Sequence, residues 1–256
     1  MTAMQDHSDA APVSLEDQAF ARLRQALMEG VFAPGQKLSI RRIAAALGTS
    51  PMPARTALRR LAAEQAVDVL SSGTAIVPRL TRQAFRELST IRAALEPMAV
   101  GMAAANLKAG QFTALERMIL GGESARSSND PEGVLRADRD FLFELYRAAS
   151  APMLFGIIES LWLRRGPLFL DARWIILGRN PTGNQHRQML QALRSGDGSA
   201  AARELKYEIE SATDYLLGHL HFADDPGEAE GIARLKPLDA RSSSPARQRS
   251  SDHGHV

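Results

Sequence analysis

Not one of the 256 residues is a cysteine, which rules out disulfides, thiol nucleophiles and thiolate metal sites. Aromatic residues make up only 5% of the chain, so its cores have to be assembled mainly from Leu, Ile, Val, Ala and Met. Long hydrophobic runs are missing as well. The most apolar stretch, 154–163, is interrupted by Glu159 and followed by Arg164 and Arg165, too short to span a bilayer. Residues 1–14 have neither the basic patch nor the apolar run of a secretory leader. The expectation is a soluble, cytoplasmic protein with no membrane partner. There is also no Gly-rich phosphate loop, no G-x-S-x-G elbow and no H-E-x-x-H pair. Nothing in the motif inventory announces an enzyme.

What is present is a mainly helical pattern long enough for two domains. The net charge of +2 is unevenly placed. Residues 15–80 hold nine Lys/Arg against five Asp/Glu, whereas 81–222 hold seventeen against sixteen. The positive excess falls where the sequence reads as a winged helix-turn-helix, and phosphate attraction needs it there. Ser14 caps a first helix, with Asp17 at the reach-back position. Gly30 ends that helix and 32–35 form a turn. Ser39 caps a second helix with Ile40, Ile43, Ala44 and Leu47 inward; Gly48 ends it. Ser50 caps a third, whose first turn tolerates Pro51 and Pro53 because its N–H groups have no helical partner. Ala54, Ala57, Leu58 and Leu61 face inward there, and Arg55, Arg59 and Arg60 lie elsewhere on its surface. Segments 67–70 and 75–77 read as the two strands of a wing, with Ser72 and Gly73 at its tip.

From residue 81 the pattern changes to long helices. Leu88, Ile91, Leu95, Met98, Ala99 and Met102 recur at helical spacing as the expected inward stripe of the first. Further helices are predicted over 112–123, 132–149, 152–174, 183–195 and 199–220, an all-α bundle of six or seven members. The boundaries expected are a disordered 1–13, a DNA-binding domain over 14–80, a helical effector and dimerisation domain over 81–222, and a disordered tail over 223–256.

Two runs, GVFAPGQKL at 30–38 and LGTSPMPARTALRRLAAE at 47–64, resemble the turn and recognition segment of the GntR family of bacterial transcription regulators. The whole layout is similar to its FadR-type branch, which carries an all-helical FCD effector domain. This implies a DNA-binding regulator, a repressor more readily than an activator, acting as a homodimer on a pseudo-palindromic double-stranded operator. It implies DNA contacts from Arg41, Arg55 and Arg59, hydroxyl donation to phosphate from Thr49 and Ser50, and a close wing approach at Ser72 and Gly73. Two positions depart from the family pattern. Pro51 stands where an arginine is common, and Gln65 where a glycine usually follows the recognition helix.

The FCD branch commonly holds a metal with one Asp and three His. By resemblance those positions are Asp138, Leu142, His186 and Glu208, so one ligand is lost and another has become a carboxylate. Two readings follow. Asp138, His186 and Glu208 form a mixed oxygen–nitrogen site for a hard divalent ion, or the metal has been abandoned and the trio hydrogen-bonds an organic acid or itself. Buried carboxylates need a positive companion. Arg92, in the segment IRAALEP, is the internal candidate, either as an effector partner or merely paired with Glu96 one turn on. An enzyme using the Asp138/His186/Glu208 cluster and a regulator with a decayed sensor are the competing functions.

Overall fold

The computed structural model describes residues 14–71, 74–178 and 183–225. Expectations for 1–13, for Ser72 and Gly73, and for the tail from 226 onward lie outside the described residues. The Ser14 hydroxyl accepts from the Asp17 N–H and opens α1 (Leu15–Met28). Then come β1 (Lys37–Leu38), α2 (Ile40–Ala46), α3 (Pro51–Ala63), β2 (Asp68–Val69) and β3 (Ala75–Ile76). Seven helices complete the bundle: α4 (Arg82–Ala103), α5 (Ala109–Ser127), α6 (Pro131–Ala148), α7 (Pro152–Arg165), α8 (Leu168–Gly178), α9 (Gly183–Arg194) and α10 (Gly198–His219).

The wing has three strands rather than two, in the order β1-β3-β2, all antiparallel. Lys37 pairs with Ile76 and Leu38 with Ala75, while Asp68 and Val69 pair with the same two residues from the other side. β1 is too short to show a period in sequence; the turn before it delivers it, as the Gly35 N–H donates to Val77 O and the Val77 N–H to Gln36 O. Ser39 and Ser50 occupy their cap positions, but neither side chain makes a capping hydrogen bond. α3 ends at Ala63, and Gln65 beyond it takes φ 55°. That is the left-handed conformation a glycine would favour.

The helix predicted over 152–174 is broken. α7 stops at Arg165, Gly166 caps it, and α8 starts again at Leu168. Proline at 167 cannot supply an N–H to carry the ladder through. The break is used for packing: a Cβ at Gly166 would overlap the Leu27 carbonyl oxygen at the end of α1. Gly30, at φ +68°, reciprocates, its missing Cβ leaving room 2.9 Å from the Gly166 carbonyl.

The predicted stripe of α4 is only partly right. Leu88 and Ala99 are buried, but Ile91, Met98 and Met102 are exposed. The inward face carries Ser89, Arg92, Ala93, Glu96, Pro97 and Val100 instead. A buried polar network has displaced the apolar pattern there. Two cores result. One joins α1, α2, α3 and the wing around Leu23, Leu27, Ala54, Leu61 and Val77, and it includes Leu163 from α7. The other fills the bundle around Phe141, Leu145, Tyr146, Trp162 and Leu205.

Candidate functional site

The surface expected to meet DNA is formed by α2 and α3. Ile43, Ala44, Ala54, Ala57, Leu58 and Leu61 are buried between them and α1, so the remaining positions of both helices point to solvent. Arg41, Arg55 and Arg59 are exposed and have no partner among the described residues. Arg60 differs: its Nη1 donates to Asp17 Oδ1 at 2.6 Å and its guanidinium lies 3.8 Å over the Phe20 ring. It fastens α3 to α1. Ser50 is exposed with an uncommitted hydroxyl. Thr49 is placed otherwise than expected: its Oγ1 is buried and its N–H donates to Ala44 O at 2.9 Å, so neither group is turned to solvent.

Inside the bundle, α4 brings Arg92 and Glu96 into register one turn apart. Arg92 donates to both Glu96 oxygens, from Nε at 2.7 Å and from Nη2 at 3.2 Å. Tyr146 of α6 donates its hydroxyl to Glu96 at 2.6 Å, and Trp162 of α7 its indole N–H at 2.9 Å. Glu96 is wholly buried and accepts all four. Of the two readings of Arg92, the pair with Glu96 is the one its hydrogen bonds make, while the same side chain also lines the cavity that Asp138 and Glu208 face. Burial opposes its charge, but the Glu96 carboxylate prevails and holds the guanidinium more basic than usual. The Tyr146 phenol is pushed well up by burial and by the same carboxylate.

Asp138, His186 and Glu208 do converge. His186 Nε2 lies 3.3 Å from Asp138 Oδ1 and 3.4 Å from Glu208 Oε2, and the imidazole stacks on Phe141. Burial disfavours the imidazolium, yet Glu208 and Asp138 outweigh it and raise the histidine to about 10. One ligating atom from each of the three lies within 4.8 Å of the others. His186 Nε2 and Glu208 Oε2 are buried without a hydrogen-bond partner, the contacts being close but not aligned as hydrogen bonds. Such a set of two carboxylates and one imidazole fits a hard divalent ion. The fourth family position is closed, because Leu142 is buried against the same cavity.

One residue of this site escaped the sequence reading. Arg165, taken there only as the charge that ends an apolar run, is buried to 9% exposure. Its guanidinium lies 4.1 Å over Phe169 and 4.6 Å over Trp162. With Arg92, Asp138, Leu142 and Glu208 it lines a cavity of about 50 Å³. The signal available in sequence was its spacing: Trp162 and Arg165 share one face of α7.

α7 belongs to both domains at once. Trp162 and Arg165 face the bundle, whereas Leu163 is buried in the core shared by α1, α2, α3 and the wing. Glu159 pairs with Arg24 of α1 at 3.2 Å, and Arg164 donates to the Gln65 side chain at 2.7 Å.

The family pattern described as bacterial regulatory proteins, gntR family, matches residues 15–77, and that of the FCD domain matches 87–211. The chain is 33% identical over 155 residues to the HTH-type transcriptional regulator McbR of Escherichia coli (strain K12), spanning 60% of this chain and 70% of that protein. It is a GntR-family regulator with an FCD domain. A solved structure, E. coli McbR/YncC, superposes with a TM-score of 0.73 at 28% identity, covering 80% of this chain and 98% of the other. A GntR-type regulator from Rhodococcus sp. RHA1 shares the fold, with a TM-score of 0.66 at 24% identity over 80% and 99% of the two chains. The GntR-family head binds DNA and the FCD bundle is its effector domain. No helix among the described residues is long and apolar enough to cross a membrane.

Proposed function

We propose that this GntR-family protein is a cytoplasmic, metabolite-responsive repressor that grips a pseudo-palindromic operator as a homodimer. The observation that carries the reading is the double allegiance of α7. A change in the cavity that moves Trp162 or Arg165 by a fraction of an ångström also moves Leu163 inside the core of the head, because packed cores transmit displacement rather than absorb it. Arg41, Arg55 and Arg59 are the DNA contacts, with Ser50 donating to a phosphate at the start of α3. Ser72 and Gly73 take the wing-tip role on family resemblance alone. The exposed Ile91, Met98 and Met102 face of α4 is the surface offered to a second copy.

The effector occupies the cavity beside Arg92, Asp138, His186 and Glu208. A divalent ion, if held, would be held by Asp138, His186 and Glu208, and would supply positive charge with open coordination positions. Nothing in the cavity provides a separate nucleophile, so no catalytic role is proposed.

Genome-wide footprinting with the purified protein, followed by gel-shift titration against random competitor DNA, tests this reading. The expected result is a small set of two-fold-related sites. Equal affinity for any fragment at moderate ionic strength would remove it.

A further inference from the structure

We infer that Met52 reads a thymine methyl group in the operator, a deepening that rests on the reading of α3 as the helix that enters the major groove. Met52 stands at the second position of α3 and is 61% exposed. It belongs to neither hydrophobic core and packs against neither. No other large apolar side chain of α2 or α3 is exposed. A single exposed apolar residue is ordinary on a protein surface. What sets Met52 apart is the company it keeps.

Met52, Arg55 and Arg59 fall at i, i+3 and i+7 and form one stripe along the outward side of α3, all three exposed. The opposite side is taken up by Ala54, Ala57, Leu58 and Leu61, all buried. The flank toward α1 is engaged as well, Thr56 donating to Glu16 and Arg60 to Asp17. The stripe that begins at Met52 is what α3 has left for the duplex. In a helix laid along the major groove the first residues are those that reach base edges. Pro51 and Pro53 on either side fix φ, so the backbone carrying Met52 has little freedom left to lose on binding.

The chemistry of the groove floor then selects the base. Base edges there present nitrogen and oxygen donors and acceptors, and the one apolar group among them is the C5 methyl of thymine. A methionine side chain donates no hydrogen bond, and its sulfur accepts only weakly. Set against guanine or the cytosine amino group, it strips water from polar atoms and returns no partner, which is costly. Set against thymine, it buries apolar surface on apolar surface. The unbranched thioether has three torsions with which to reach that methyl. Arg55 on the same stripe supplies charge and hydrogen bonds, which Met52 cannot, while Met52 supplies discrimination in favour of thymine.

The test starts from duplexes that the purified full chain selects out of a randomised pool. Each thymine of the selected half-site is replaced in turn by deoxyuridine, which keeps the base pair and removes only the methyl, and affinity is measured by gel shift. The expected result is one thymine per half-site whose methyl contributes about three- to fivefold in affinity, the effect of burying one such group. In Met52→Ala that loss should disappear; in Arg55→Ala binding should be weaker overall and the loss should persist. Selection repeated with Met52→Gln should lose thymine at that position in favour of adenine, whose N6 and N7 a glutamine amide can pair. Because Met52 is exposed, its variants should keep the wild-type melting temperature. A half-site with no methyl-sensitive thymine, or an equal loss in folded Met52→Ala, would overturn the assignment and leave DNA recognition by α3 standing. A pool from which no sequence is enriched would overturn it together with the operator reading on which it rests.

Discussion

Trp162 donates its indole N–H to Glu96 at 2.9 Å, while the adjacent Leu163 is fully buried in the other domain. Two neighbours on one helix therefore report to two cores. Glu96 is the point on which the bundle side depends. Glu96→Ala leaves Arg92 buried and unpaired and is expected to destabilise by about 3–5 kcal/mol. Replacing both residues, as Arg92→Met with Glu96→Leu, should cost far less than the two single changes summed. Urea unfolding of the three variants checks this.

The His186 trio gives the stability a pH dependence of defined sign. Its folded-state value is raised to about 10, by Glu208 and Asp138 against the opposing effect of burial, from an ordinary 6.5. Its contribution is complete below about pH 6.5, where the unfolded chain also binds the proton, and is lost as pH rises through about 10. Melting temperature should fall across that interval, and in His186→Gln the fall should be smaller. A divalent ion in the same place requires neutral His186, so its binding at pH 7 should release a proton. Titration calorimetry in buffers of different ionisation enthalpy measures it.

On the DNA-reading face, Arg55 and Arg60 should separate cleanly. Arg55→Ala is expected to weaken operator binding by roughly 1–3 kcal/mol if it reads a base. Arg60→Ala removes an exposed pair with Asp17 and a contact with Phe20, and should lower stability slightly with little change in sequence preference. Gel shifts and thermal unfolding of both variants decide the matter.

Gly166→Ala tests the joint between the domains. The added Cβ overlaps the Leu27 carbonyl, a backbone atom that cannot swing aside. A loss of about 1–3 kcal/mol is expected, together with altered operator affinity from a residue on the bundle side of the joint. Unchanged DNA binding in a folded variant would show that α7 does not couple the two.

Much of this architecture is legible in the sequence because turns and caps are local. Ser14, Gly30, Gly48 and Pro51 mark element ends through backbone chemistry that needs no tertiary context. The bundle is less transparent. An apolar period identifies a buried face only where that face is apolar, and α4 buries Arg92 and Glu96 while exposing Met98. Asp138, His186 and Glu208 were found through family resemblance, and the fold brings them together. Arg165 was missed because its meaning depends on what α4 and α6 place opposite it. The break at Gly166 was missed because the apolar residues continue on both sides of it.

Pro51 and Pro53 have a consequence for how α3 can hold a backbone phosphate. A helix start normally presents four amide hydrogens without intrahelical partners, and here both prolines fall among those positions. The cradle that such a terminus offers an anion is thus thinned to a pair of amides. On the function proposed above, the grip on the duplex would rest on the arginines of α2 and α3, whose hold relies on displaced counterions and weakens steeply as salt is added.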